Sequence, residues 1–185
     1  MSITALAQRF GADRSGLAAL EFAFIAPIMI VLFFGVIEGS DALSASRRAS
    51  LAVNTLADLV AQETEIGKDD LDDLFDGVED IISTGSPITD FRIVSLVYDA
   101  VQDKILVDWS LDSSGATPYA KDTEYTGAIS SNLLDDTSSI IVGELTYNYK
   151  STISKYVFSD YTMNKTATRW PRRSLSVTYC GATCP

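Results

Sequence analysis

The sequence predicts an α+β protein in which a long N-terminal helix packs on a small, mostly antiparallel sheet. Three observations carry this. Residues 17–37, LAALEFAFIAPIMIVLFFGVI, are apolar apart from one carboxylate. Residues 41–63 continue without a glycine or proline and repeat at helical spacing. Beyond residue 90, short runs rich in Val, Ile and aromatic residues alternate with turn-forming stretches, which is the strand pattern.

Composition sets the bounds. The 185 residues suffice for one anchored domain with a modest core. The formal net charge of -11 excludes nucleic acid as a partner, because a phosphate backbone needs a basic surface. Histidine is absent, which removes the commonest general base and the commonest zinc ligand. The two cysteines, Cys180 and Cys184, cannot form a zinc site by themselves.

The first element is the apolar run. At 1.5 Å per residue it spans about 30 Å, the thickness of a bilayer's hydrocarbon core. Arg9 and Arg14 precede it, opposed by Asp13, and Glu38 and Asp41 follow it. These near flanks favour a cytoplasmic N-terminus, although Arg47 and Arg48 further on pull the other way. Three readings fit such a run. It is a plain anchor, or a cleaved secretory signal leaving at Ala42-Leu43-Ser44, or a prepilin-type segment cut on the cytoplasmic side. Its length and the interruption at Glu21 count against the secretory signal.

Glu21 favours the third reading. A charged side chain at the centre of a bilayer costs roughly 2.5–3.5 kcal/mol on insertion scales, and less near a helix end, but it still wants a partner. A cut between Gly16 and Leu17 would create an amine one helical turn from Glu21. A carboxylate in the first turn also suits the helix dipole. In a bundle, Glu21 would instead neutralise the amine of a neighbouring chain. The plain alternative is a side chain that snorkels to the headgroups.

The stretch GLAALEF resembles the processing site of type IV prepilins of the tight-adherence (Tad, or Flp) system. There a glycine precedes four residues, a glutamate and an aromatic, usually tyrosine in the major pilins; here the ring is Phe22. Over RSGLAALEFAFIAPIMIVLFFGVIEGSDAL the chain is similar to TadE-like minor pseudopilins, at Gly16, Glu21, Phe22, Pro27, Gly35 and Glu38. The resemblance implies a pilin-like fold and a part in Flp-type pilus biogenesis. It implies a hydrophilic leader (1–16) removed by a prepilin peptidase, a transmembrane helix (17–37) with its kink at Pro27, and a periplasmic remainder. Its implied partners are that peptidase, other pilins or pseudopilins through the N-terminal helix, the assembly platform and membrane lipid. No cofactor is implied. The alternative is an uncleaved single-pass protein of the inner membrane whose periplasmic domain is an adaptor.

Residues 38–83 read as a stalk helix and a second, acidic helix. The outer stripe on the first is Leu43, Ser46, Ser50, Val53 and Leu56, then Leu59 and Val60, with Arg47, Arg48, Asp58 and Glu63 solvated. One continuous helix over about 17–63 is expected. Gly67 breaks it. Residues 69–83 then place Leu71, Leu74, Phe75, Val78 and Ile82 on one face and acids over the rest. The calcium-loop spacing is absent, so the acids read as a solvated face.

TGSPITD (84–90) is a turn-rich boundary, and 91–185 reads as mainly β. Residues 91–100 are apolar on both faces. Residues 104–111 put Ile105, Val107, Trp109 and Leu111 on one side, close enough to form a hairpin with the first strand. Residues 138–150 align Ile141, Leu145, Tyr147 and Tyr149, with Gly143 between them. Weaker strands are expected at 161–170 and 174–179, and a short helix near 126–134. The Tyr-Asp and Trp-Ser strand ends, SIIVGELTYNY and the Pro171-Arg172 pair also resemble TadE-like features.

Two tail features remain. Arg169, Arg172 and Arg173 make a basic patch, for an acidic partner or lipid or for the chain's own carboxylates. Cys180 and Cys184 are a candidate disulfide clip for the tail, plausible in an oxidising compartment. Neither a nucleophile elbow, a P-loop, a dinucleotide fingerprint nor a zinc-protease motif occurs, and a histidine triad is impossible within the chain. The chain is therefore expected not to be an enzyme.

Overall fold

The computed structural model describes residues 15–82, 88–127, 129, 133–134, 137–151 and 161–184. Helix α1 (Ser15–Val60) is followed by the two-residue strand β1 (Glu65–Ile66) and helix α2 (Lys68–Ile82). Strands β2 (Ile88–Asp99), β3 (Lys104–Asp112), β4 (Ser139–Tyr149) and β5 (Tyr161–Arg169) form one antiparallel sheet in the order β3-β2-β4-β5. Strand β6 (Thr178–Tyr179) returns to pair in parallel with β1. The class is α+β, with a long apolar helix on a small, mostly antiparallel sheet. Of residues 1–16, expected to be a leader, 1–14 lie outside the described residues.

Helix α1 is unbroken from Ser15 to Val60. Three of its serines bond back to a carbonyl one turn below: Ser40 to Val36 and Ser44 to Ser40 at 2.8 Å, and Ser50 to Ser46 at 3.0 Å. The buried stripe differs from the predicted one. Ala45, Ala49, Ala52, Val53, Leu56, Ala57, Val60 and Ala61 are buried, whereas Leu43 and Leu59 are exposed and Ser46 and Ser50 are half-covered. Alanine wins these positions because it lets a helix approach a sheet closely. The contact is close at Gly143, where a Cβ would lie 3.1 Å from Val53 Cγ2 and 3.2 Å from the Val53 carbonyl.

Helix α2 buries Leu71, Phe75, Val78 and Ile82 against the same core, and Phe75 stacks on Phe91 with centroids 6.2 Å apart. The predicted face is the observed one. The opposite face of the sheet carries a second cluster of Val94, Leu96, Val107, Ile140 and Val142, covered by Tyr125 and Leu134. Tyr119 and Tyr125 each donate a hydrogen bond to Glu144 on β4, which fastens the covering loop to the sheet.

Strand β3 corrects the predicted side assignment. Its register with β2 shifts so that Ser95 faces Trp109 and Leu96 faces Val107, leaving Asp108 as the extra residue. The bulge turns Trp109 and Leu111 into the helix-side core and Val107 and Ile105 into the other one. The expected strand at 174–179 shrinks to Thr178–Tyr179 and lies outside the main sheet. Much of the short helix expected near 126–134 lies outside the described residues, which omit 128 and 130–132. Strand β2 begins at Ile88, inside the stretch read as a boundary; 84–87 lie outside the described residues.

Cys180 and Cys184 are bonded, and the loop they close sits on the start of α2. The Gly181 and Ala182 carbonyls accept the Lys68 and Asp69 N–H groups at 2.7 and 3.2 Å, donors that a helix N-terminus otherwise leaves unpaired. Asp70 Oδ2 accepts the Gly67 N–H at 2.9 Å. Above the loop, Trp109 Nε1 donates to the Val177 carbonyl at 2.8 Å and its ring stacks on Tyr179. Chain-entropy reasoning for so short a loop gives about 2 kcal/mol. Cys180→Ser is expected to lower the melting midpoint by roughly 4–8 °C for a domain of this size, and a reductant should reproduce that shift in the unmutated protein. A midpoint that ignores both treatments would contradict a stabilising clip.

Candidate functional site

The feature that the fold leaves open is the first half of α1. From Gly16 to Val36 every residue is exposed except Ala26 and Gly35, which are half-covered. Phe22 is 72% exposed. So long an apolar surface marks contact with lipid or with other apolar helices. Helix α1 is long and apolar enough to cross a membrane once, and its most apolar window is not buried in the fold.

The predicted site residues lie along this half-helix. Gly16 and Leu17 occupy its first turn, with Glu21 and Phe22 one turn on. A Cβ at Gly16 would meet nothing within 4 Å. Among the described residues nothing therefore packs against Gly16. Glu21 is exposed, and among the described residues it has neither an ion pair nor a side-chain hydrogen bond. Pro27 lies inside the continuous helix, where it can give no N–H to the Ala23 carbonyl.

Glu38 ends the open segment. It is 7% exposed, accepts a hydrogen bond from the Tyr149 hydroxyl at 3.1 Å, and leaves Oε2 without a donor among the described residues. Burial and the neighbouring Glu38 carboxylate push the Tyr149 hydroxyl up to about 12. Sequence reasoning placed Glu38 at the end of the apolar run but missed its partner. The only signal was a carboxylate directly after Ile37; Tyr149 is 111 residues away.

The arginine patch is largely spent inside the fold. Arg172 pairs with Asp58, and Arg169 reaches the same carboxylate at 3.5 Å and Asn54 at 2.8 Å. Asp58, expected to be solvated, is thus a half-buried hub joining α1 to the end of β5. Arg173 is exposed. Among the described residues, Arg173 is the member of the patch with no ion pair or side-chain hydrogen bond, which leaves it for an acidic partner or lipid. Two open clefts, each about 370 Å³, flank α2 and are lined mainly by its acids and by Glu63, Glu65, Ile66 and Phe91. Among the described residues no His, Cys, Asp and Glu group could hold a metal ion.

The similarity to known proteins lies along α1, over its open half and most of its packed half. Residues 16–58 match the family model of TadE-like protein. The match begins at Gly16 and spans Glu21, Phe22, Pro27, Gly35 and Glu38, which supports the resemblance to TadE-like proteins. It ends within α1, so the sheet and the similarities noted there lie beyond it. No curated protein and no solved structure matches the chain.

Proposed function

We propose that this chain is a minor pseudopilin of a tight-adherence pilus system, cut after Gly16 by a prepilin peptidase. One observation carries the reading: the match to TadE-like proteins begins at Gly16 and takes in the whole uncovered half of α1, where Glu21 has neither an ion pair nor a side-chain hydrogen bond among the described residues. A cut at Gly16 supplies a partner as the new amine of Leu17, either in the same chain or in a neighbouring helix. Gly16 is then explained by the peptidase. The segment from Leu17 to Ile37 spans the inner membrane, and the sheet domain stands in the periplasm, where an oxidised Cys180–Cys184 pair is expected.

The size of the folded domain favours a minor subunit over the bulk of a filament. Arg173 and the apolar half-helix are the surfaces offered to other pilus components. The test is the N-terminal sequence of the membrane-extracted protein, made with and without the peptidase. A terminus at Leu17 only when the peptidase is present is the expected result. An intact leader in both samples would replace this reading with an uncleaved membrane-anchored adaptor.

A further inference from the structure

The end of the sheet nearest the apolar half-helix has a fixed height along α1. Gly143 packs on Val53, and Tyr149 bonds to Glu38. The six residue steps from Gly143 to Tyr149 cover about 20 Å of strand, and the fifteen from Glu38 to Val53 cover about 22 Å of helix. Strand β4 therefore runs down α1 without drifting from it. Tyr161, the first residue of β5, is the register partner of Tyr149, and the two rings lie 5.9 Å apart. Both tyrosines consequently stand at the height of Glu38, one residue beyond the last apolar residue of the run. Tyr161 is 49% exposed, and Lys150 beside it is exposed.

We infer that this sheet end, through Lys150 and Tyr161, rests in the headgroup layer of the membrane that α1 crosses. The inference depends on the membrane-spanning reading of α1 given above. It commits to a lipid surface because the sheet end is continuous with the spanning segment. A hydrocarbon core of about 30 Å within a bilayer of about 40–45 Å leaves a polar layer several ångströms deep on each side, and that layer begins where the apolar run ends. Exposed Tyr161 and Lys150 suit the layer, with a ring or an aliphatic stem at the apolar boundary and a hydroxyl or ammonium in water, while buried Tyr149 fixes their height through Glu38. The Glu38–Tyr149 hydrogen bond braces the contact, so the domain is held against the bilayer rather than swinging above it. The other groups facing this end are Asp41, one turn along α1, and the buried Tyr147.

The test uses the full chain in phosphatidylcholine vesicles, with bromine as a quencher either high or deep in the acyl chains. Trp170 is replaced by phenylalanine, and buried Trp109 is kept as a constant background. Tyr161→Trp should lose much of its emission to lipids brominated near the headgroups and little to an aqueous quencher. Lys150→Trp reports the same height should Tyr161→Trp fail to fold. Phe24→Trp should be quenched by deep bromines and reports the span itself. If Phe24→Trp is quenched while the tryptophans at 161 and 150 respond only to the aqueous quencher, the lipid seat is wrong and the span stands. If none of the three responds to brominated lipid, the membrane-spanning reading fails, and the seat with it.

Discussion

Replacing Gly143 with valine is expected to strip the sheet from the stalk helix and leave the apolar N-terminal half of α1 unaffected. The site is closed on three sides. A Cβ added there lies 3.1 Å from Val53 Cγ2, 3.2 Å from the Val53 carbonyl oxygen and 3.3 Å from Ala57 Cβ. The valine methyl can rotate away, but the carbonyl belongs to the helix backbone and cannot. Alanine therefore costs about 1–3 kcal/mol, the usual range for overpacking. Valine brings two further methyl groups into the same gap, in the middle strand pair of the sheet, and exceeds that range. In detergent, the alanine variant should melt about 2–4 °C lower for each kcal/mol lost. The valine variant should lose the fluorescence signature of Trp109, which is held between Tyr179 and the Val177 carbonyl. Wild-type melting of the valine variant would mean that helix and sheet are not in close contact here.

Gly143 also shows how much of this fold could be read beforehand. The inward side of β4 was legible because a period of two needs only Ile141, Leu145, Tyr147 and Tyr149 to declare it. The acidic helix was legible for the same reason at a period of 3.6. The helix face that meets Gly143 was not. Its buried residues are mostly alanines, which carry little hydropathy signal, while the larger Leu43, Leu51 and Leu59 point outward. Selection for close approach outweighed selection for apolar bulk. Strand β3 was misassigned because one inserted residue, Asp108, exchanges the faces of everything before it, and local pattern does not mark a bulge. The β1–β6 pair consists of two-residue strands more than a hundred residues apart, too short for any periodicity.

The candidate site divides in the same way. Gly16, Glu21 and Phe22 were legible because they are close in sequence and break a pattern: a glycine and a carboxylate where an apolar helix needs neither. Glu38–Tyr149 and Asp58–Arg172 were not, because each joins α1 to residues brought near only by the sheet. These distant pairs set where the domain sits on its helix. The local residues are exposed along the open half of α1, and the role proposed for them lies outside the packed fold.

Glu21→Ala is expected to abolish pilus assembly in cells while leaving the protein in the membrane at its normal level and still cut at Gly16. The charge argument separates these effects. Removing a carboxylate from an apolar segment eases insertion, by up to roughly 2.5–3.5 kcal/mol at the bilayer centre and less near a helix end. Alanine is also the better helix former. Anchoring and helicity should therefore improve, and a loss of pili cannot be assigned to a lost protein. What disappears is the acceptor for the Leu17 amine, which would then lie in an apolar bundle with no counter-charge. A buried charge whose partner is removed costs about 3–5 kcal/mol, enough to stop a helix from entering a packed assembly. The sheet domain should not register the change, because Glu21 is exposed and touches none of it. The domain's melting midpoint thus serves as the internal control. Normal piliation in Glu21→Ala would show that Glu21 merely reaches the headgroups, and the neutralising role proposed for it would have to be abandoned.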